Sequence, residues 1–202
     1  MGTERKKQQR TIESRKRLLD AAYRLFVSKG YYNTNTKEIA CHAGVSIGNF
    51  YNYYQDKGEI YCALLEEYLT DSCKVMQELV DRLITLESRI AYKEFLMSFL
   101  CQLLDLDADR NKFFVDAAVI AKENVQVQSL ISKTEEKLIA ILESFLRQRY
   151  SIQQVNYHIA ARMVYILTDQ IAKDILRVDI GQQRDDYIQL FINEIIHFSF
   201  DL

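Results

Sequence analysis

The stretch from Asn35 to Lys57 reads NTKEIACHAGVSIGNFYNYYQDK, and it resolves into two short helices joined by a tight turn. Asn35 can cap the first helix, and Glu38, three residues on, completes a capping box. Ile39, Ala40 and Ala43 give that helix an inner face. Gly44 ends it, because glycine enters the left-handed conformation without steric cost. Ser46 can cap a second helix that begins at once, expected over about residues 47–53. Phe50 and Tyr54 lie four apart and share its inward face. Helices this short are not stable alone in water, so the run before them must supply a third. Ala, then Gly four residues on, then an apolar residue six beyond, is the helix-turn-helix pattern, met here by Ala40, Gly44 and Phe50. Its second helix enters the DNA major groove.

The surroundings extend the pattern. Leu19-Asp20-Ala21-Ala22, Leu25-Phe26 and Lys29-Gly30-Tyr31 precede it. Within and after it come Ile39-Ala40, Ala43-Gly44-Val45-Ser46, Gly48, Tyr51, Tyr53-Tyr54 and Lys57. At this spacing residues 11–65 resemble the DNA-binding domain of the TetR/AcrR family of transcriptional regulators. Three positions depart from that family's habit. Asn35 stands where Thr is usual, Phe50 where Leu or Ile is usual, and Gly58 where an acidic residue is usual. The first keeps the cap and the second keeps an apolar core residue. Gly58 weakens the first turn of the helix that follows.

Charge is divided along the chain. Residues 1–60 hold 11 Lys and Arg against 6 Asp and Glu, while the remainder holds 15 against 22. A basic head on an acidic body is expected where one domain binds DNA and the other does not. The absence of proline and the presence of only six glycines favour long helices. An all-α fold of about nine helices follows: a three-helix DNA-binding domain over residues 1–56, with a basic N-terminal arm, and a ligand-binding and dimerisation domain over 57–202.

Residues 1–10, MGTERKKQQR, read as a disordered polar tail or an arm in which Arg5, Lys6, Lys7 and Arg10 order on DNA. Further helices are expected near 11–29, 57–84, 88–106, 109–123, 125–149, 152–177 and 184–200, from apolar residues at helical spacing. No proline-, serine- or glycine-rich linker separates the domains. The start of the chain lacks an apolar leader and no run is long enough to span a membrane, so a cytoplasmic protein is expected.

Within the head, the expected DNA-binding residues are Asn35, Ser46, Ile47, Gly48, Asn49, Tyr51, Tyr53 and Lys57. Ile47, Gly48 and Asn49 begin the recognition helix, where groove contacts concentrate. Asn49 can pair with adenine through both amide atoms. Gly48 lets the backbone approach DNA. The hydroxyls of Tyr51 and Tyr53 can reach phosphates, and Lys57 can pair with one from the start of its helix. The resemblance implies the same roles for Tyr51, Tyr53 and Lys57.

The last two expected helices are apolar over more than one face, which calls for burial on a second side. Ile159, Met163, Ile166, Phe191, Ile195 and Phe198 are the candidate dimer contacts. The resemblance implies the same: family members dimerise through these two helices as a four-helix bundle. A twofold dimer reads a near-palindromic operator. Candidate lining for a small-molecule effector is Tyr68, Phe95, Phe99, Phe114 and Met163, which suits an apolar or a lipophilic cationic ligand.

Enzyme signatures are missing: no glycine-rich phosphate loop, no GxSxG and no HExxH. Glu194 and His197 form half of a di-iron pattern, but Val155 stands where its partner motif needs a carboxylate ahead of His158. Cys41, Cys62, Cys73 and Cys101 have no metal-ligand spacing. No cofactor and no metal are expected. The competing reading, a helical module that docks protein instead of DNA, predicts weak dependence of binding on salt.

Overall fold

A computed structural model describes residues 2–105, 113, 116–150, 155–177 and 183–200; the side chains of 2–7, 100–105, 172–177, 183–185 and 197–200 lie outside the description. Every regular element among the described residues is helical. They are α1 (Gly2–Lys29), α2 (Thr36–His42), α3 (Ile47–Phe50), α4 (Lys57–Ile84), α5 (Arg89–Asp105), α6 (Val125–Arg149), α7 (Tyr157–Arg177) and α8 (Gln183–Phe200). A further short helical stretch covers 116–120.

Three boundaries differ from expectation, each for a local reason. Helix α1 begins at Gly2 instead of near residue 11. Nothing from Thr3 to Lys29 breaks a helix, and Glu, Lys, Gln and Arg dominate its first part, so the regular backbone runs on. Helix α3 stops at Phe50. Beyond it Asn52 and Tyr53 bond to carbonyls only three residues back, which tightens the chain into a turn. Helix α7 begins at Tyr157, not near 152, because Asn156 caps it: its Oδ1 accepts from Ile159 N at 3.1 Å.

The chain divides into two compact units. The first holds Met1–Thr70 with Ala108–Ser132, and the second holds Asp71–Asp107 with Lys133–Leu202. The core of the first is rich in aromatic rings. Tyr61 lies 4.7 Å from Phe113, 5.1 Å from Tyr31 and 5.4 Å from Phe26, centroid to centroid. The buried Tyr61 hydroxyl donates to the Phe113 carbonyl at 3.1 Å, so the ring's one polar atom is satisfied. Leu18, Ala22, Ile39, Ala40, Phe50, Ile60 and Leu65 complete this core.

The core of the second unit is largely aliphatic: Val80, Leu83, Leu96, Ile139, Leu142, Leu146, Ala161, Ile188, Ile192 and Ile196, with Tyr92 and Phe145. Within it α5 packs on α8. Among the described residues no helix is long and apolar enough to cross a membrane.

Candidate DNA-binding site

The helical hairpin is built by caps. Asn35 Oδ1 accepts from Glu38 N at 3.0 Å, and the Glu38 carboxylate accepts from Asn35 N, which closes the capping box. Lys29 Nζ donates to Glu38 Oε1 at 2.7 Å, and this bond holds the Glu38 carboxyl below its ordinary pKa. Gly44 turns the chain with φ 63°. Ser46 Oγ then accepts from Asn49 N at 3.2 Å and starts α3. Phe50 and Tyr54 point inward, and Phe50 is 0 % exposed. The Tyr54 hydroxyl accepts from Arg15 Nε at 3.2 Å, which ties α3 to α1.

Opposite that buried face lies the one expected to meet DNA. Ile47, Gly48 and Tyr51 are exposed, and Asn49 is half-buried. A Cβ built on Gly48 meets nothing within 4 Å, so the backbone there is open to a close approach. Tyr51 is 55 % exposed, whereas Tyr53 packs partly against the core. Three residues join the set without having been singled out from the sequence. The Thr36 hydroxyl lies 3.3 Å from the Tyr51 hydroxyl, placing two hydroxyls of different helices side by side. Asn52 Nδ2 donates to Asn49 Oδ1 at 3.4 Å and orients that amide. Arg15 acts through Tyr54, as described. Thr36 directly follows the cap, which was its only local signal.

Lys57 is turned inward. Its Nζ donates to the carbonyls of Tyr31 at 2.9 Å, Thr34 at 3.0 Å and Tyr32 at 3.3 Å. It also lies 4.5 Å from the centroid of the Tyr31 ring. Burial pushes its ammonium below the ordinary lysine pKa.

The arm is placed only in part. Arg10 is exposed, while the side chains of Arg5, Lys6 and Lys7 lie outside the described residues.

The effector candidates fall in both units. Tyr68 is half-buried in the first. In the second, Phe95 and Phe99 are half-buried neighbours, 6.1 Å between ring centroids, and Met163 is 59 % exposed. Phe114 lies outside the described residues. Of the dimer candidates, Ile159, Met163 and Ile166 are exposed on α7 together with Leu167. Phe191 and Ile195 are half-buried on α8, and the side chains of Phe198 and His197 lie outside the description.

Comparison with known proteins agrees with this geometry. Residues 18–64 match the family model for bacterial regulatory proteins of the tetR family. An uncharacterized HTH-type transcriptional regulator of Bacillus subtilis, YdgC, is 30 % identical over 143 residues, covering 63 % of this chain and 71 % of YdgC. The fatty acid metabolism regulator protein of the same organism is 22 % identical over 160 residues, covering 76 % of this chain and 78 % of its own. A crystal structure of a tetR-family regulator from Mesorhizobium loti superposes with a TM-score of 0.73 at 17 % identity, covering 94 % of this chain and 97 % of that one. Taken with the capped hairpin and its exposed α3 face, these likenesses make the chain a DNA-binding transcriptional regulator, not an enzyme, that belongs to the tetR family of bacterial regulatory proteins.

Proposed function

We propose that this regulator is a homodimeric repressor that holds a near-palindromic operator and leaves it when a small apolar or lipophilic molecule binds. Residues 1–56 read the DNA and residues 57–202 carry the effector site and the dimer contacts. The observation that carries the DNA half of this reading is the exposed face of α3. Ile47, Gly48 and Asn49 stand at its start, and Thr36 and Tyr51 present paired hydroxyls beside it. Asn49 reads a base, whereas Tyr51 and Thr36 hold phosphates and set the register. Tyr53, partly packed, adds a hydroxyl at the edge.

Support for the dimer comes from α7. Ile159, Met163, Ile166 and Leu167 follow helical spacing, and all are more than half exposed. Such a contiguous apolar stripe is unusual on a monomer and suits a second copy of the same helix pair. Two heads related by a twofold axis call for half-sites about one helical turn apart. The half-buried Phe95 and Phe99, and the resemblance to a regulator of fatty acid metabolism, favour an apolar effector. Binding would bias one of two packings of the body and so shift the heads. The protein works where its operator is, in the cytoplasm.

The test is fluorescence anisotropy with DNA from upstream of the protein's own gene, at two salt concentrations. Saturable, sequence-selective binding that weakens steeply with salt is expected. Asn49→Ala should reduce binding to the preferred sequence by roughly tenfold, the cost of losing one paired base contact, and leave random DNA nearly unaffected. Medium- and long-chain acyl compounds added to the complex should release it. Equal loss on both DNAs would remove Asn49 from base reading, and tighter binding with acyl compounds would reverse the sign of the effector.

A further inference from the structure

Lys57 is the first residue of α4. The helix dipole puts partial positive charge there and favours carboxylates, so a lysine gains nothing from its own helix. What it gains comes from the loop between α1 and α2. That loop has no helical or sheet partner for its backbone, so its carbonyls need donors from side chains. Asn33 Nδ2 serves Lys29 O at 3.0 Å, and the Thr34 hydroxyl serves Gly30 O at 2.9 Å. The Tyr31, Tyr32 and Thr34 carbonyls all converge on Lys57 Nζ. An ammonium has three N–H donors, and three carbonyls occupy them.

Gly58 belongs to the same arrangement. A Cβ there would stand 3.3 Å from the Tyr31 hydroxyl, 3.2 Å from Asn124 Nδ2 and 3.1 Å from Asp56 Oδ1. The glycine lets the Tyr31 ring lie against the start of α4, beneath the Lys57 ammonium. A phosphate oxygen could recruit Lys57 only by displacing one of its carbonyls, which would then lack its donor.

We propose that Lys57 is a positioning residue: it fastens the start of α4 to the α1–α2 loop, sets the seat of α2 and thereby of α3, and gives no hydrogen bond to a DNA phosphate. The inference rests on the head binding DNA as proposed above. It predicts an effect on specific recognition without a change in the number of phosphates neutralised.

The experiment measures operator and random-DNA affinity of the full chain across a salt series, for wild type, Lys57→Met and Lys57→Arg. Lys57→Met should weaken operator binding by on the order of tenfold, since charged hydrogen bonds are lost. The slope of log affinity against log salt should stay unchanged, random DNA should bind as before, and Lys57→Arg should recover part of the loss. A lost phosphate contact would flatten the slope by about 0.9 for each protomer and weaken both DNAs alike. That result, or operator binding unaffected by Lys57→Met, overturns the proposal.

Should Lys57→Met fail to fold, ammonium NMR of the wild-type protein decides. The Lys57 resonance, assigned by its loss in Lys57→Arg, should exchange slowly and keep its position when operator is added. A resonance in fast exchange, or one that moves on to phosphate, overturns the proposal. Absence of any wild-type DNA binding would instead bring down the DNA reading of the head, and the same resonance in the free protein would still judge the lock.

Discussion

The two units of this molecule solve the same packing problem in different ways. In the first, polar atoms of loops and rings are matched one by one: Lys57 with three carbonyls, Tyr61 with the Phe113 carbonyl, Tyr54 with Arg15, and Tyr32 with Glu123 at 3.2 Å. In the second, the core is aliphatic and many of the side-chain hydrogen bonds stay within one turn, as between Arg147 and Glu143. Exceptions such as Lys93 to Asn193 and Arg149 to the Leu86 carbonyl are few among those described. Directional bonds specify one geometry, whereas apolar contacts ask mainly for volume. A head that must fit DNA needs the first kind. A body that must admit a ligand and a partner can live with the second.

The contrast can be broken at its hardest point first. Phe50→Ala in the head should cost about 4 kcal/mol in urea unfolding, the usual loss for a fully buried ring, and abolish operator binding. An equal cost with DNA binding intact would mean that α3 is held by something other than its core anchor.

Ile166→Asp on α7 should leave the protomer folded but cut self-association by on the order of a hundredfold, because a carboxylate would be buried without a partner. Light scattering behind a sizing column reads this directly. A dimer that survives would move the interface away from the exposed stripe.

The caps test whether position or chemistry matters. Asn35→Ala and Asn156→Ala remove the same kind of cap and should each cost about 1 kcal/mol. Only Asn35→Ala should also weaken operator binding, since α2 has seven residues to absorb the loss and α7 has twenty-one. Equal effects on DNA binding, measured by anisotropy, would erase the distinction between the units.

The smallest effect is expected at Gly58. Alanine improves helix propensity, yet its three close neighbours are pinned: Asp56 Oδ1 caps Glu59 N, Asn124 Oδ1 caps the start of α6, and Tyr31 lies against Lys57. Crowding should outweigh propensity, giving a net loss below about 1 kcal/mol in thermal or urea unfolding. A gain in stability would show that the start of α4 is looser than these contacts imply.

The helix-turn-helix was legible because its rules are short in range. A cap speaks to the residue three positions on, a left-handed turn needs its glycine on the spot, and an inward face repeats every three or four residues. Asn35, Glu38, Gly44, Ser46 and Phe50 therefore announced α2, the turn and α3 unaided. The long helices were legible from their apolar spacing, and the exposed stripe of α7 from its surplus of apolar residues.

Sequence spacing could not say what Lys57 does, because its carbonyl partners lie up to 26 residues away and belong to a loop with no pattern of its own. Nor could it pair Tyr32 with Glu123 across 91 residues, or bring Phe113 to Tyr61. The ends of α1 and α3 also escaped it, where propensity ran on at one and bonds to the third residue back took over at the other. Local chemistry determined which helices form and where they turn. Tertiary structure decided which way each long polar side chain faces, since a lysine can reach a phosphate or a carbonyl equally well until the fold has placed both.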